Sequence, residues 1–127
     1  MDNLNIEIIN QLSNNYSYLI FNNKSSSCII IDPAEDEKII YFLEKKNLKP
    51  EYIFITHHHE DHTSGVSGLV NKYPQIKIFS PSELSAIPIT KISNLNTIKT
   101  SLNEFQILST PGHTLDHVVL CDIRNKC

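Results

Sequence analysis

The sequence predicts an α/β (α+β) domain, in which short strands outnumber helices. The chain has 127 residues and 40% of them are hydrophobic, enough for one domain with a buried core. Short apolar runs separated by turn-forming residues are typical of strands. Two longer segments instead repeat their apolar residues at the spacing of one helical face.

The beginning of the chain predicts three strands. They cover Leu4–Ile9, Tyr16–Phe21 and Cys28–Ile31, and residues rich in Asn and Ser separate them. The short connections favour an antiparallel meander. Cys28 opens an apolar run, which predicts a core position for its side chain.

The first helix is predicted directly after the third strand. Asp32 is a candidate N-cap, Pro33 suits the first helical position, and Glu35 is placed to complete a capping box. The predicted apolar face consists of Ile39, Ile40 and Leu43. Asn47, followed by Pro50, marks its end.

A short strand, Tyr52–Ile55, is expected to lead into a second helix. Thr63 or Ser64 is the predicted cap of this helix, which extends to about Asn71. Gly65 and Gly68 each cost a helix roughly 1 kcal/mol relative to alanine. Their presence therefore indicates close backbone approach beside a site.

The remainder of the chain predicts further strands around a long polar loop. The loop spans Ser80–Asn96, and the predicted strands are Ile76–Phe79, Thr97–Thr100, Phe105–Ser109 and His117–Cys121. The whole pattern predicts a mixture of strands with two helices, an α/β or α+β arrangement.

Charge and composition exclude several classes of protein. The chain has 14 acidic against 11 basic residues and a net charge of −3, so it lacks the basic excess of a nucleic-acid-binding domain. No apolar stretch approaches the ~18 residues of a membrane span. The start of the chain does not resemble a signal peptide. Cys28, Cys121 and Cys127 form no CxxC pair, which favours a reducing, cytoplasmic location.

The stretch ITHHHEDHTSG concentrates chemistry-bearing side chains. In an extended segment His57, His59 and Asp61 project to one side, with His62 following near the start of the second helix. His113, in TPGHT, also follows a predicted strand. Imidazole nitrogens and a carboxylate are ligands that zinc prefers, so the sequence predicts a metal site.

The histidines and Asp32 differ in the roles expected of them. Three consecutive histidines also occur as surface decoration, but this run lies between a predicted buried strand and a helix, which favours a metal site. His58 points away from its neighbours by alternation, which favours a structural role. His117 begins an apolar strand and is interpreted as a core histidine. Asp32 either caps its helix or also supports the metal loops, and the sequence leaves both roles open.

THHHEDHTSG resembles the THHHxDHxxG motif of the metallo-β-lactamase superfamily, in particular its glyoxalase II (hydroxyacylglutathione hydrolase) branch. The segments LSNNYSYLI, IIIDPAE and STPGHTLDH fit the same resemblance in the same order. It implies the first half of an αββα sandwich, a mixed β-sheet with helices on one face. It also implies His57, His59 and His113 as ligands of one metal, and Asp61 and His62 as ligands of a second. Zn²⁺ is the expected ion, one or two per chain, with iron or manganese as alternatives.

The resemblance implies hydrolysis of a glutathione thioester, S-2-hydroxyacylglutathione, to glutathione and a 2-hydroxy acid. In such a reaction a bound metal would lower the pKa of the attacking water, and Asp61 would help to orient that water. Related thioesterases, lactonases and persulfide dioxygenases share much of this pattern.

The resemblance covers only the N-terminal half of the family fold, residues 1–127. The family's later bridging aspartate and last histidine have no match, and Asp122 lies in the wrong context for that aspartate. The C-terminal half and the helical substrate domain are expected to be absent. We therefore expect a truncated or split enzyme, completed by a homodimer or a companion chain. The alternatives are a non-catalytic metal-binding remnant, and another hydrolase or a persulfide dioxygenase relative of the same superfamily.

Overall fold

The computed structural model describes residues 4–11, 15–22, 24–56, 65–81, 84, 87–92, 97–100, 102, 104–109 and 118–122. Within them the helices are α1 (Glu37–Lys46) and α2 (Val66–Lys72). The strands are β1 (Asn5–Gln11), β2 (Asn15–Phe21), β3 (Ser27–Ile31), β4 (Lys49–Phe54), β5 (Lys77–Ser80), β6 (Thr90–Lys91), β7 (Thr97–Lys99), β8 (Glu104–Ser109) and β9 (Val118–Asp122). The predicted mixture of strands and two helices is confirmed.

The larger sheet has six strands in the order β1-β2-β3-β4-β5-β6. The first three pair antiparallel, as the predicted meander requires, and β3 to β6 pair parallel. Parallel neighbours need crossover connections, and α1 and α2 supply them between β3, β4 and β5. Because such crossovers are almost always right-handed, both helices lie on the same face of the sheet.

A second sheet, in the order β7-β8-β9, packs on the opposite face. Alternation along the central strands sends one side chain to the helices and the next to this second sheet. Leu19, Ile30 and Ile53 belong to the helix-side core. Their neighbours Ile20, Ile29 and Phe54 belong to the core between the sheets. The described layers are therefore helices, large sheet and small sheet.

The helix-side core fixes both helices by their apolar stripes. Ile39 and Leu43 of α1 and Val66 and Leu69 of α2 are fully buried in it. Asn47 ends α1 with φ 56°, a left-handed conformation that asparagine tolerates. The predicted apolar face and the predicted end of α1 are both confirmed.

The predicted start of α1 is wrong. The helix begins at Glu37 with Asp36 at the N-cap, so Asp32, Pro33 and Glu35 do not form a capping box. The reason lies at Asp32, whose φ of 53° turns the chain away from a helical path.

Two further boundaries differ from the prediction. Gly65 occupies the N-cap position of α2, in place of Thr63 or Ser64, which lie outside the described residues. The polar loop predicted over Ser80–Asn96 contains β6, whose two residues pair with the end of β5. Such a short strand carries no sequence pattern of its own, because pairing with a neighbour creates it.

Candidate metal site

The carboxyl ends of the parallel strands carry the candidate site. Asp32 follows β3, and Ile55 and Thr56 follow β4, at the same edge of the sheet because Ile31 pairs with Phe54. Residues 57–64, here called the histidine segment, come next and return to the described chain at Gly65. This edge is the usual location of sites in open parallel sheets.

All five predicted ligands lie outside the described residues: His57, His59, Asp61, His62 and His113. The same holds for His58 and His117, so the structure does not test the roles assigned to any histidine. Within the described ranges there is no group of three His, Cys, Asp or Glu side chains able to hold a metal. The structure instead shows how the chain enters and leaves the histidine segment.

Asp32 holds the entry to the histidine segment. The backbone N–H of Thr56 donates to Asp32 Oδ1 at 2.8 Å, and the Thr56 hydroxyl donates to Oδ2 at 2.6 Å. The backbone N–H of Asp32 donates to the carbonyl of Phe54 at 3.0 Å. Hydrogen bonds to an ionised carboxylate are among the stronger ones in proteins. Of the two roles left open for Asp32, the structure therefore excludes the cap and supports the loop contact.

The exit from the histidine segment is held by the turn that follows β3, residues 32–35, which also contains Asp32. The Gly65 N–H donates to the carbonyl of Pro33 at 3.0 Å. A Cβ on Gly65 would lie 2.7 Å from the backbone carbon of Glu35 and 2.9 Å from the Pro33 oxygen. A Cβ on Gly68 would collide with the side chain of Asp36. The predicted close backbone approach is confirmed at Gly65, whereas Gly68 is approached by a side chain.

Ser17 supports this turn from β2. Its buried hydroxyl donates to the carbonyl of Asp32 at 2.6 Å and accepts the Ala34 N–H at 3.4 Å. Sequence reasoning did not single out Ser17 or Thr56. A usable signal existed for Ser17, because it is a polar residue on the same strand face as Leu19 and Phe21.

One turn therefore anchors both ends of the eight-residue histidine segment. The entry is fixed by Asp32 and the exit by Pro33 and Glu35, which lie one to three residues apart. Anchored ends reduce the conformations that a ligand-bearing segment must lose on binding a metal. The donor set inside the segment, imidazoles and a carboxylate, suits a divalent metal. The residues present thus fit such a metal.

A groove of about 590 Å³ lies elsewhere on the molecule. Lys49, Tyr52, Tyr73 and Lys77 are among its lining residues, which places it at the amino ends of β4 and β5. Burial raises the pKa of Tyr52 and of Tyr73. The histidine segment leaves from the opposite, carboxyl end of β4, so this groove is separate from the candidate metal site.

The chain is similar in sequence to one known family and to two curated proteins. The sequence model of the metallo-beta-lactamase superfamily matches residues 11–88, a range that contains the histidine segment. The hydroxyacylglutathione hydrolase of Pectobacterium atrosepticum is 37% identical over 116 residues, which cover 91% of this chain and 46% of that protein. The hydroxyacylglutathione hydrolase of Buchnera aphidicola subsp. Baizongia pistaciae is 44% identical over 107 residues, 84% of this chain and 43% of that protein.

Solved structures share the fold. A metallo-beta-lactamase from Staphylococcus aureus subsp. aureus COL superposes with a TM-score of 0.76 at 25% identity, covering 91% of this chain and 36% of that one. ETHE1 from Myxococcus xanthus gives a TM-score of 0.73 at 25% identity, with coverages of 91% and 53%. The chain therefore spans about half the length of the curated relatives that it matches.

Proposed function

This chain belongs to the metallo-beta-lactamase superfamily, and we propose that it forms the metal-binding half of a thioester hydrolase of the hydroxyacylglutathione hydrolase type. One observation carries this proposal. The two hydroxyacylglutathione hydrolases are 37% and 44% identical to the chain over most of its length, clearly above the 25% shared with the two solved structures described above.

Superfamily membership implies that the chain binds a divalent metal. We propose Zn²⁺ as the ion, held by His57, His59 and His113, with Asp61 and His62 as ligands of a second ion. A bound divalent metal supplies Lewis-acid chemistry, polarising a carbonyl and lowering the pKa of water. The substrate proposed is an S-2-hydroxyacylglutathione, which yields glutathione and a 2-hydroxy acid.

The chain's own residues have separate tasks in this proposal. Asp61 accepts a hydrogen bond from the attacking water and so orients it toward the thioester carbonyl. Asp32, through Thr56, fixes the backbone from which His57 follows. Ser17 fixes the turn that carries Asp32. Only Asp61 is assigned a catalytic role; Asp32 and Ser17 are positioning residues.

We further propose that the domain, residues 1–127, acts with a companion half or a second copy, in the cytoplasm. The relatives are about twice as long as the matched region, which supports an additional half. The sparse cysteines support a reducing compartment. Among the described residues no helix is long and apolar enough to cross a membrane.

The test is hydrolysis of S-D-lactoylglutathione by the purified chain with added zinc. The chain is assayed alone and together with the second half of the Buchnera relative. His59→Ala runs in parallel to reveal contaminating enzyme, and His58→Ala is the matched control. Turnover that His59→Ala abolishes and His58→Ala retains supports the proposal. Zinc-independent turnover, or none in either arrangement, refutes it.

A non-catalytic metal-binding protein is the second candidate. The region that matches the superfamily model contains four of the five proposed ligands, and metal binding without turnover would equally explain that match. It predicts zinc binding that His59→Ala weakens, without turnover when the second half is present. Turnover in that arrangement excludes it.

A further inference from the structure

The groove at the amino ends of β4 and β5, here called the amino-end groove, combines basic and aromatic side chains. Its volume of about 590 Å³ lies within the range of roughly 300–1,000 Å³ that is typical of small-molecule sites. The basic residues that line it are Lys49, Lys72 and Lys77, and the aromatic ones are Tyr52 and Tyr73. The metal proposed above is not expected here, because the histidine segment leaves from the other end of β4.

The fold concentrates lysines at this edge of the larger sheet. Each helix leads directly into the start of a parallel strand, so the ends of both helices and the beginnings of β3, β4 and β5 lie along one edge. The described lysines at this edge are Lys24, Lys45, Lys46, Lys49, Lys72 and Lys77. The acidic residues described there are Glu44 and Glu51, and Glu51 also lines the groove. A chain with a net charge of −3 thus carries a local positive excess beside the amino-end groove.

The opposite, carboxyl edge carries acidic side chains instead. Asp32, Glu35, Asp36 and Glu37 lie between the end of β3 and the first turn of α1. Charges separated in this way give the two edges potentials of opposite sign. The carboxyl edge therefore attracts cations, and the amino-end groove attracts anions.

The three lysines of the groove are available to a bound anion. Lys49 and Lys77 are exposed, and neither forms an ion pair with another residue in the described ranges. Lys72 Nζ lies 3.4 Å from Glu44 Oε2, with the two side chains 45% and 62% exposed. An exposed pair of this kind contributes little to stability, so Lys72 can exchange it for a contact with phosphate.

The two tyrosines give the groove an aromatic wall that the core holds in place. The ring of Tyr52 packs against that of Phe79, with centroids 5.2 Å apart, and Tyr73 packs against the helix-side core. Burial raises the pKa of both phenols, so they stay neutral at physiological pH and do not repel an anion. Pro74 and Ile76 add apolar surface beside them. The lining therefore suits a ligand that has a planar ring as well as negative charge.

We propose that the amino-end groove binds a nucleoside di- or triphosphate, with its phosphates at the three lysines and its base against the two tyrosines. Lysine binds phosphate as a point charge, and bases stack on aromatic side chains. An inorganic polyphosphate would leave the tyrosines without a contact, and a neutral nucleoside would leave the lysines without one. The nucleotide is the ligand class that uses both parts of the lining.

Isothermal titration calorimetry with ATP, adenosine and tripolyphosphate tests the proposal. The chain is first treated with chelator and dialysed, so that no bound metal takes up the phosphates. We expect ATP to bind severalfold more tightly than adenosine or tripolyphosphate. The double variant Lys49→Gln, Lys77→Gln should weaken ATP binding by about tenfold or more, because two charge-assisted contacts are lost. The control double variant Lys38→Gln, Lys99→Gln removes the same charge outside the groove and should bind ATP like the parent chain.

Acetylation of lysines, followed by peptide mass spectrometry, locates the bound nucleotide. ATP should slow the acetylation of Lys49, Lys72 and Lys77 and leave that of Lys38 and Lys99 unchanged. Circular dichroism of the variants shows that they keep the fold of the parent chain.

Three results would overturn the proposal. Absence of ATP binding at millimolar concentration, or equal weakening by the two double variants, shows that the groove is not a nucleotide site. Tripolyphosphate that binds as tightly as ATP shows that the groove is a general anion site without a contact to the base. Single-stranded RNA that binds more tightly than ATP, and protects Lys24 and Lys46 as well, assigns this edge to a nucleic acid.

Discussion

Asp32 is the residue on which the entry to the candidate site depends most. Its side chain is 6% exposed, and both carboxylate oxygens accept hydrogen bonds from Thr56. Its φ of 53° is a conformation that asparagine and aspartate tolerate better than other residues with a side chain. Asparagine at this position therefore separates the backbone requirement from the requirement for charge.

We expect Asp32→Ala to lower the free energy of unfolding by about 1–3 kcal/mol, because the Thr56 N–H loses an acceptor in a poorly hydrated position. Asp32→Asn keeps one acceptor oxygen and the left-handed backbone. It should therefore lower the free energy of unfolding by clearly less than Asp32→Ala does. Urea unfolding in the presence of a chelator measures the free energy of unfolding of both variants without a contribution from bound metal. An equal loss in the two variants would show that the charge, and not the geometry, is what matters.

Burial suppresses the reactivity of the Cys28 thiol. It is fully buried in the helix-side core, and burial raises the pKa of its thiol to about 12. The thiolate is the reactive form of cysteine. Iodoacetamide at pH 8 should therefore leave Cys28 unmodified in the folded chain and modify it in urea, as peptide mapping can follow. Modification of Cys28 at the same rate in both conditions would contradict its burial.

The raised pKa of Cys28 has a definite sign for stability. The folded state favours the protonated thiol, so its stabilising contribution is present below the ordinary pKa of 9.0 and is lost as pH rises toward about 12. The decrease in the free energy of unfolding at alkaline pH should be smaller in Cys28→Ala than in the parent chain. Urea unfolding at a series of alkaline pH values makes the comparison.

At the scale of elements, α2 and the turn after β3 are packed closely enough to exclude side chains. Gly65 faces backbone atoms of Pro33 and Glu35, whereas Gly68 faces the side chain of Asp36. Backbone cannot move aside cheaply, but the partly exposed carboxylate of Asp36 can rotate. The two glycines are therefore required to different degrees.

Gly65→Ala should destabilise the chain by about 1–3 kcal/mol, because the added methyl group overlaps backbone atoms. Gly68→Ala should be close to neutral, since a gain of about 1 kcal/mol in helix propensity offsets the displacement of Asp36. Thermal unfolding of the metal-free variants provides the comparison. Similar losses in both variants would indicate that the turn after β3 yields as easily as a side chain.

At the scale of the whole molecule, the two sheets form a framework for the proposed metal ligands, four of which belong to the histidine segment and the fifth of which is His113. Metal that binds only the folded chain stabilises it by mass action. At zinc concentrations of about 100 Kd, the free energy of unfolding should rise by roughly 2.7 kcal/mol. His59→Ala should remove most of this increase and His58→Ala should leave it, as chemical unfolding with and without zinc can show. Equal loss in both variants would contradict the assignment of alternate histidines.

Much of the framework could be predicted from local sequence. The three strands of the meander and the apolar stripe of α1 depend on turn residues and on apolar periodicity within short segments. The left-handed end of α1 at Asn47 has the same local origin. The metal ligands also come from the sequence alone, through the pattern of His57 to His62 with His113, and they remain a proposal.

Only the tertiary structure decided the role of Asp32, the start of α1 and the existence of β6. Asp32 and Thr56 are 24 residues apart and meet because β3 and β4 are neighbours in the sheet. β6 exists because Thr90 and Lys91 pair with the end of β5. The sequence by itself determined elements whose energetics are local. Contacts between distant segments follow from how those elements pack, which no short stretch of sequence encodes.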